Sequence, residues 1–581
     1  MNQNIIERAN DYISREKDAA FKQEVEKLLK DGGEAAQKEL EDRFYQNLEF
    51  GTGGLRGVIG GGYNRMNTLV VKSATQGLAT YLIKTFPQKA AKSGELKAVI
   101  AFDSRHYSAE FAEACALIFA ANGIKTFLFS SLRPTPELSF AIRHLGCDTG
   151  IVVTASHNPP QYNGYKAYWN DGSQVIPPHD VGIIDEVNNV KDIKEISKKE
   201  ALDKGLLKII DKEVDEPYQA MVKSRLFRPA LIKEKAGEVK IVYTPLHGTG
   251  AFHVEKVLGD LGLKVITVPE QREGNGDFPT VSFPNPEEAA ALDMAIKLGA
   301  KEKADVVMAT DPDADRFGIA VPNKSGGFTL VTGNQMGVLL ADYIFLSLKE
   351  LGKLPKNAAM VNSIVTTGMQ KKVAEYYGGE CQECLTGFKW IADVMRKWEH
   401  GELGGKTYVF GTEESYGYNV ETEVRDKDGV SAAALTAEMT LYWRSKGKTL
   451  LDRLDDLYAV CGYWQELGIS KYFKGPEGPS IMNGIMEEYR KNPPKTLGGI
   501  NIAKVRDIKN GADGLAPSDV LQFFLADGTI VSARPSGTEP KIKFYATCCA
   551  EVGSGGLDGA KAEVARKLDA INKDIRAVIG D

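Results

Sequence analysis

The chain has few cysteines, seven in 581 residues. An odd number of cysteines in a long chain, behind a charged amphipathic start with no apolar signal core, favours reduced thiols over a disulfide framework. The only C-x-x-C pair, Cys381–Cys384, has no second pair at zinc spacing, so a structural role is favoured over a zinc site. These absences predict a cytoplasmic protein.

Long apolar runs and a strong charge of one sign are also lacking. The best apolar run, Met336–Ala341, is cut by Asp342, so no stretch reaches membrane length. The net charge of −6 gives no general attraction to nucleic acid or anionic lipid. We therefore expect no nucleic-acid partner and no membrane partner, and the length suggests about four globular domains.

Three familiar catalytic patterns are missing as well. No G-x-S-x-G elbow surrounds Ser156, which counts against a serine hydrolase. Gly405–Thr407 and Gly447–Thr449 match the end of the phosphate-loop motif of nucleotide hydrolases, G-x-x-x-x-G-K-[ST]. Neither is a complete match, because His400 and Tyr442 occupy the position of the first glycine. The seven histidines are scattered and form no metallophosphatase cluster.

The most informative stretch that is present is Ile151–Pro160. It begins with β-branched residues typical of a buried strand and ends at Pro159 and Pro160, which cannot continue a sheet. Ser156 is therefore expected just past the carboxyl end of a strand, where open α/β sheets bind ligands. Considered alone, such a serine more often only helps to end the strand.

A second stretch is acidic. Asp311, Asp313 and Asp315 alternate, so an extended loop would place their carboxylates on one side. Two such charges ~4 Å apart repel by about 4 kcal/mol at an effective dielectric near 20, so three need a cation. An EF-hand is excluded, because Arg316 and Pro322 occupy the positions of its glycine and its final glutamate. Three oxygen ligands suit Mg²⁺ shared with a phosphoryl oxygen, and a solvated acidic turn is the alternative.

Two further loops have groups that suit phosphate. Gly51–Gly57 is a glycine-rich loop, and its Arg56 could add a guanidinium to backbone N–H donors. Near the end of the chain a guanidinium, two hydroxyls and a glycine follow a predicted strand, although an ordinary β-turn is the alternative. The members of this second loop are Arg534, Ser536, Gly537 and Thr538.

Together these motifs resemble those of the α-D-phosphohexomutases, the family of phosphoglucomutases, phosphomannomutases and phosphopentomutases. Four motifs occur in family order between about residues 50 and 545. Thr154–Pro159 is similar to the family's phosphoserine loop, and Asp311–Arg316 is similar to its metal loop, D-G-D-x-D-R, with Pro312 in place of the glycine. Gly411–Ser415 is similar to the sugar loop, and Arg534–Tyr545 to the phosphate loop. The strings Tyr162–Trp169 and Arg425–Gly429 are most similar to the phosphoglucomutase and phosphopentomutase branch.

The resemblance implies an α/β fold: three similar mixed α/β domains plus a smaller C-terminal α+β domain around a central cleft. A predicted strand–helix–strand unit over residues 97–129 is consistent with the first of these. We place the phosphoserine-loop domain at 1–210, the metal-loop domain at 211–325, the sugar-loop domain at 326–452 and the phosphate-binding domain at 453–581.

The resemblance also implies roles for single residues. Catalytic roles fall on Ser156, Lys166, His157 and Arg56, with Lys166 as the candidate general acid/base. One Mg²⁺ per chain would be bound by Ser156, Asp311, Asp313 and Asp315. Substrate would be bound by Arg316, Lys389, Glu413, Ser415, Arg534, Ser536, Gly537 and Thr538. Either lysine alone would more often be a surface residue.

The implied activity is that of a phosphoglucomutase acting on a phosphosugar. It would interconvert glucose 1-phosphate and glucose 6-phosphate through a phosphoserine, with glucose 1,6-bisphosphate as intermediate and activator. A phosphopentomutase or a phosphomannomutase is the alternative, although Gly417 stands where phosphomannomutases tend to have histidine. A sugar bisphosphate synthase or phosphatase, or a silent sugar-phosphate binding protein, remains open from other classes. We expect a monomer or a weak homodimer.

Overall fold

A computed structural model gives the fold and describes residues 2–51, 53–473, 477–536 and 541–580. In these residues the helices α1 to α21 are, in chain order, Gln3–Arg15, Ala19–Asp31, Glu34–Phe44, Thr68–Thr85, Pro87–Ala90, Ser108–Ala121, Thr135–Leu145, His179–Asn188, Lys198–Asp203, Lys212–Ser224, Pro229–Lys235, Gly250–Asp260, Pro269–Arg272, Ala289–Glu302, Gly333–Glu350, Met369–Tyr377, Phe388–Glu399, Gly429–Ser445, Leu450–Cys461, Gly478–Lys491 and Gly556–Ile579.

The strands β1 to β21 of the same residues are Gly54–Val58, Lys97–Phe102, Lys125–Phe129, Thr149–Val153, Tyr162–Trp169, Leu207–Ile210, Lys240–Thr244, Lys264–Thr267, Val306–Thr310, Phe317–Pro322, Phe328–Val331, Ala358–Ser363, Glu380–Cys384, Thr407–Glu413, Gly417–Asn419, Tyr463–Tyr472, Thr496–Leu497, Ile500–Asp507, Leu521–Leu525, Ile530–Pro535 and Lys541–Ala550. Two short 3₁₀ helices cover Ala236–Glu238 and Glu402–Gly404.

The chain forms two compact units. The first unit contains Met1–Leu330 and Gly417–Leu441, and the second contains Val331–Tyr416 and Tyr442–Asp581. The domain boundaries inferred from the sequence, at residues 210, 325 and 452, stay predictions.

The first sheet of the first unit has the strand order β1-β5-β4-β2-β3-β6. Strands β4, β2, β3 and β6 are parallel. At one edge β5 runs antiparallel to β4, and β1 runs antiparallel to β5. The β2–α6–β3 crossover is the strand–helix–strand unit predicted from the sequence. Its apolar residues are buried on both faces of the sheet, as parallel strands require, and Ile100 and Phe111 lie in the same core.

The second sheet of the first unit has the order β11-β10-β9-β7-β8. Its strands β9, β7 and β8 are parallel, and β10 runs antiparallel to β9. All five residues of β9 are buried, and the strand leads directly into Asp311. Both sheets of the first unit are therefore mixed, and each has a chemistry-bearing loop at the carboxyl end of a central parallel strand.

The second unit also contains two sheets. In one, β12 lies between β13 and β14 and is parallel to both. In the other, β16-β21-β20-β19-β18-β17 are all antiparallel, and α20 and α21 pack against strands of this sheet. Mixed or parallel sheets followed by an antiparallel C-terminal sheet confirm the fold class predicted from the sequence.

Two predictions about absences can be compared with the structure. None of the helices in the described ranges combines the length and apolar character needed to cross a bilayer. All seven cysteines are free thiols, and Cys381 and Cys384 lie on the sheet strand β13.

The pairing of β1 with β5 depends on a glycine at the contact. Gly54 has a φ of +133°, and a Cβ atom at this position would lie 1.7 Å from the carbonyl oxygen of Tyr165. Only glycine allows the two backbones to approach this closely. The register of the pair then places Arg56 opposite Gly164.

We predict that Gly54→Ala lowers the free energy of unfolding by about 1–3 kcal/mol more than Gly205→Ala, because only the first adds a steric overlap. Gly205 is a matched control, since its φ is +66° and a methyl group there would have no atom within 4 Å. Urea unfolding of both variants, followed by circular dichroism, measures the difference. Equal losses would show that β1 moves away from β5 at little cost.

Candidate active site

Ser156 lies three residues past the end of β4, in the turn that the sequence predicted. Its φ of 51° is in the left-handed region, which is uncommon for a residue other than glycine, and its side chain is buried. The Ser156 hydroxyl donates to Asp311 Oδ2 at 2.6 Å, and its Oγ lies 3.2 Å from His157 Nδ1. The serine is therefore in direct contact with the acidic stretch.

The turn that holds Ser156 is built around Arg105. Its guanidinium donates to the carbonyl oxygens of Pro159 at 2.8 Å and Tyr162 at 3.0 Å, and also to those of Ser156 and Asn158. The side chain is fully buried, and burial lowers the pKa of Arg105 although nearby carboxylates oppose this. Four carbonyl oxygens on one rigid fork fix the backbone of the loop.

Asp103 adds a second support to the same loop. It accepts a hydrogen bond from the Thr154 hydroxyl at 2.6 Å, and Thr154 Oγ1 in turn accepts from the backbone N–H of Ser156 at 2.8 Å. The sequence analysis predicts no role for Asp103 or Arg105. Their contacts with the serine turn reach residues more than fifty positions later, so no local pattern could have revealed this role.

The acidic stretch is gathered in a tight turn. Ligand atoms of Asp311, Asp313 and Asp315 all lie within 4.8 Å of one another, and the three residues are buried. The extended loop expected from the sequence is wrong, because Ala314 has a φ of 51° and its N–H bonds back to the Asp311 carbonyl at 2.9 Å. Gly248 lies behind the turn, where a Cβ atom would come within 2.3 Å of Pro312 Cα.

Two lysines lie against this turn. Lys166 Nζ is 2.7 Å from Asp313 Oδ2 and 3.2 Å from Asp315 Oδ2, and Lys427 Nζ is 3.1 Å from Asp315 Oδ2. The sequence predicted Lys166 as a site residue. It did not predict Lys427, although Lys427 is part of the Arg425–Gly429 string that suggested the branch of the family.

The buried charges shift one another's pKa values. Burial raises the pKa of Asp311 well above its usual range, and Asp313 and Asp315 raise it further. Burial would also raise the pKa of Asp313, but Lys166 outweighs this and the pKa is lowered. Burial would lower the pKa of Lys166, yet the two carboxylates beside it reverse the shift. The crowded carboxylates thus oppose the ionisation of Asp311, while the lysines favour that of Asp313 and Asp315.

The residues of the turn fit a magnesium ion. Asp313 Oδ1 and Asp315 Oδ1 are buried and have no hydrogen-bond partner in the described part of the chain. Buried carboxylate oxygens without a partner are costly, and a hard cation that prefers oxygen ligands removes that cost. These three carboxylates, with the Ser156 oxygen beside Asp311, are the residues that would hold Mg²⁺.

A second buried cluster of metal-competent side chains differs from the acidic turn in its partners. Ligand atoms of Glu137, Asp215 and His253 are also close together. Arg133, however, forms two hydrogen bonds with Asp215, at 2.8 and 3.0 Å, and His253 Nε2 lies 2.7 Å from Glu137 Oε2. The guanidinium already occupies the place of a cation, so this cluster is an ion-pair network rather than a metal site.

Three other predicted residues lie around Ser156. Burial, and then the positive charges of Arg316 and Arg56, hold the pKa of His157 well below its usual range, so its imidazole is neutral near pH 7. Arg56 Nη1 donates to Asn158 Oδ1 at 3.4 Å. Arg316 donates its backbone N–H to Asp311 at 3.0 Å and pairs with Glu287 at 3.4 Å.

The remaining predicted residues belong to the second unit. Glu413 ends β14, and its Oε1 accepts from the N–H of Gly387 at 2.6 Å, one residue before the helix α17 that bears Lys389. The next carboxylate, Glu414, accepts from the Ser363 hydroxyl at 3.0 Å. Ser415 follows in a half-buried position.

Arg534 lies on β20 of the same unit, opposite Lys543 of β21. Burial raises the pKa of Tyr545 to about 12, Glu414 adds to the shift, and Arg534 opposes it through a side-chain hydrogen bond. Ser536 donates its N–H to the Lys541 carbonyl at 2.7 Å. Gly537 and Thr538 lie outside the described residues, so the predicted phosphate loop is seen only in its first half.

Comparison with known protein families gives four matches in chain order. They are "Phosphoglucomutase/phosphomannomutase, alpha/beta/alpha domain I" at residues 47–194, domain II at 216–326, domain III at 332–461 and the C-terminal domain at 483–552. Together they cover well over half of the chain.

Individual proteins are similar over nearly the whole length. A phosphopentomutase of Homo sapiens is 34% identical, over 97% of this chain and 94% of its own. A phosphoglucomutase of Staphylococcus epidermidis is 33% identical, over 90% of this chain and 94% of its own. A crystal structure of a phosphoglucomutase from Paramecium has the same fold, with a TM-score of 0.71 at 19% identity, over 92% of this chain and 96% of that one.

We predict that Mg²⁺ binds at the acidic turn and that Asp313→Asn weakens it by about tenfold to a hundredfold, the equivalent of about 1.5–3 kcal/mol for one charge-assisted contact. Isothermal titration calorimetry with MgCl₂ measures this. Glu137→Gln in the other buried acidic cluster is the control and should leave Mg²⁺ affinity unchanged. If Glu137→Gln lost Mg²⁺ binding and Asp313→Asn kept it, the ion would bind at the second cluster and the prediction would be wrong.

Proposed function

The chain belongs to the phosphoglucomutase/phosphomannomutase family, and on this premise we propose that it moves a phosphoryl group between two positions of a phosphosugar through Ser156. The observation that carries the proposal is the contact of Ser156 Oγ with Asp311 at 2.6 Å, inside a buried acidic turn flanked by Lys166. A serine that only ended a strand would need neither neighbour.

The reaction begins with phosphorylated Ser156. A sugar hydroxyl attacks the phosphorus, the Oγ–P bond breaks, and the hydroxyl proton leaves while Oγ regains one. His157 Nδ1, 3.2 Å from Oγ, is placed to exchange that proton, and Lys166 is our candidate general acid/base. The sugar now has two phosphates, and transfer of the other one back to Ser156 completes the cycle.

The protein groups around the serine offset charge and exclude water. Bound Mg²⁺ would supply Lewis-acid stabilisation of the negative charge on the transferring phosphoryl group. Lys166 and Lys427 hold the carboxylates of the turn in place, and Arg105 fixes the backbone that presents Oγ. Burial of the serine limits its access to water, which would otherwise hydrolyse the phosphoserine.

The second unit would bind the sugar and the phosphate that is not transferred. Glu413 and Ser415 suit sugar hydroxyls, since both lie at the end of β14 in a loop that Gly387 supports. Arg534 and Ser536 suit a phosphate, together with Gly537 and Thr538 as the sequence predicts. Lys389 and Arg316 complete the proposed substrate-binding set.

Glucose 1-phosphate and glucose 6-phosphate are the substrates we propose first, with glucose 1,6-bisphosphate as intermediate and activator. Pentose phosphates are the second candidate, because the human relative that matches 97% of the chain is a phosphopentomutase. Gly417 continues to count against mannose phosphates. The cytoplasmic location and the monomeric or weakly dimeric state remain predictions.

The test is turnover on the 1-phosphates of glucose, mannose, ribose and deoxyribose. We expect the highest kcat/KM with glucose 1-phosphate, and Ser156→Ala should abolish turnover because it removes the oxygen that bears the phosphoryl group. Peptide mass spectrometry of the wild type should find phosphate on Ser156.

Other outcomes of the same assay are informative. A higher kcat/KM with ribose 1-phosphate would select the pentose alternative. Bisphosphate or inorganic phosphate as the main product would indicate a synthase or a phosphatase. Near wild-type turnover of Ser156→Ala would contradict the proposed chemistry altogether.

Arg534→Ala should raise KM about tenfold or more while kcat falls less. The guanidinium would bind a phosphate equally in the ground state and the transition state, and a charge-assisted hydrogen bond contributes about 1.5–3 kcal/mol. Steady-state kinetics on glucose 1-phosphate measure the split. Arg566→Ala, exposed on α21, is the control and should leave KM unchanged. An unchanged KM in Arg534→Ala would make Arg534 a turn residue only.

A further inference from the structure

The second unit contains a cavity of about 510 Å³ that the proposed reaction does not use. It lies beside the start of α16 and the strand β13 on one side and the antiparallel sheet on the other. Its size is that of an ordinary small-molecule site. None of Lys389, Glu413, Ser415, Arg534 and Ser536 lines it, so it is distinct from the proposed substrate-binding residues of this unit.

Two lysines give the cavity its charge. Lys371 and Lys372 are exposed on the first turn of α16 and have no ion-pair partner in the described part of the chain. The start of a helix adds partial positive charge from its backbone N–H groups. Positive groups without partners at the wall of a cavity suit an anion such as a phosphate.

The other charged side chains at the cavity are largely paired with one another. Arg506 lies 3.2 Å from Glu383 and 3.4 Å from Asp513, and Asp513 is also 3.5 Å from Lys504. Glu375 is the one further carboxylate in the lining. The lining therefore has three cations and three carboxylates, and Lys371 and Lys372 are its two cations outside this ion-pair network.

The lining also contains groups that suit hydroxyls and a ring of carbon atoms. Asn362 is 4% exposed, and its buried Oδ1 has no hydrogen-bond partner in the residues the structure describes. Such an oxygen needs a donor, which a ligand hydroxyl would supply. Trp464 lies against Gly368, where a Cβ atom would come within 2.7 Å of the indole, so the glycine keeps the ring at the cavity wall.

We propose that this cavity is a second binding site, for a small phosphorylated polyol or sugar. Lys371 and Lys372 bind its phosphate, Asn362 Oδ1 accepts from one hydroxyl, and the Trp464 ring packs on its carbon chain. Tyr545 is part of the lining and hydrogen-bonds to Arg534, so the cavity adjoins the proposed phosphate-binding strand without sharing its residues.

The experiment is a fluorescence titration with sorbitol 6-phosphate, which has a phosphate and hydroxyls but no anomeric carbon. Trp464→Phe identifies the part of the tryptophan emission that reports on the cavity, since the chain has five tryptophans. We expect a saturable change in wild type that Trp464→Phe removes. Lys372→Glu should raise its Kd at least tenfold, because it replaces an attraction for the phosphate by a repulsion.

Two further variants locate the binding. Lys491→Glu makes the same charge change at an exposed position at the end of α20 and should leave the Kd unchanged. Glu413→Ala removes a proposed sugar-binding group and should also leave it unchanged. No change in Trp464 emission at millimolar sorbitol 6-phosphate would overturn the proposal. So would a signal that Glu413→Ala abolishes and Lys372→Glu does not. Neither result depends on mutase turnover.

Discussion

Three carboxylates buried in a single turn are the constraint on which the first unit depends. Two charges ~4 Å apart repel by about 4 kcal/mol at an effective dielectric near 20, so the turn requires cations and hydrogen-bond donors around it. Lys166 comes from β5 and Lys427 from the segment before α18. Hydroxyls of Ser156 and Thr135 donate to the same carboxylates. The acidic turn after β9 therefore joins the second sheet of this unit to the first.

The loop that presents Ser156 solves a different problem, because its backbone adopts a conformation that is costly for serine. A left-handed φ costs roughly 1–2 kcal/mol outside glycine and persists only where surrounding contacts impose it. Arg105 imposes it through four carbonyl oxygens, and Asp103 does so through Thr154. In this conformation Ser156 Oγ lies within hydrogen-bond distance of Asp311. The conformation of the loop and the acidic turn therefore together fix the position of Ser156 Oγ.

Much of this could be predicted from the sequence, because strands and turns leave local patterns. The β-branched run before Ser156 and the prolines after it predicted both the strand and the turn. The alternating aspartates predicted a cluster but not its backbone, since the left-handed Ala314 that folds the turn has no sequence signal. Arg105 and Lys427 could not be found, because each acts on site residues 51 or more positions away. Tertiary contacts at that separation leave no periodicity to detect.

The two buried acidic clusters show what distinguishes a reactive site from a structural one. Both bring three metal-competent side chains together, and both are buried. At Asp215 the Arg133 guanidinium donates to both carboxylate oxygens, so the negative charge already has a bidentate partner that is part of the chain. At Asp313 and Asp315 the partners are lysines, which bind as point charges and leave one oxygen of each carboxylate unpaired in the described residues. Glu137 Oε1 also lacks a partner in the described residues, so a missing donor does not by itself separate the two clusters. The difference is that a guanidinium already fills the cation position beside Asp215, whereas only lysines lie beside Asp313 and Asp315.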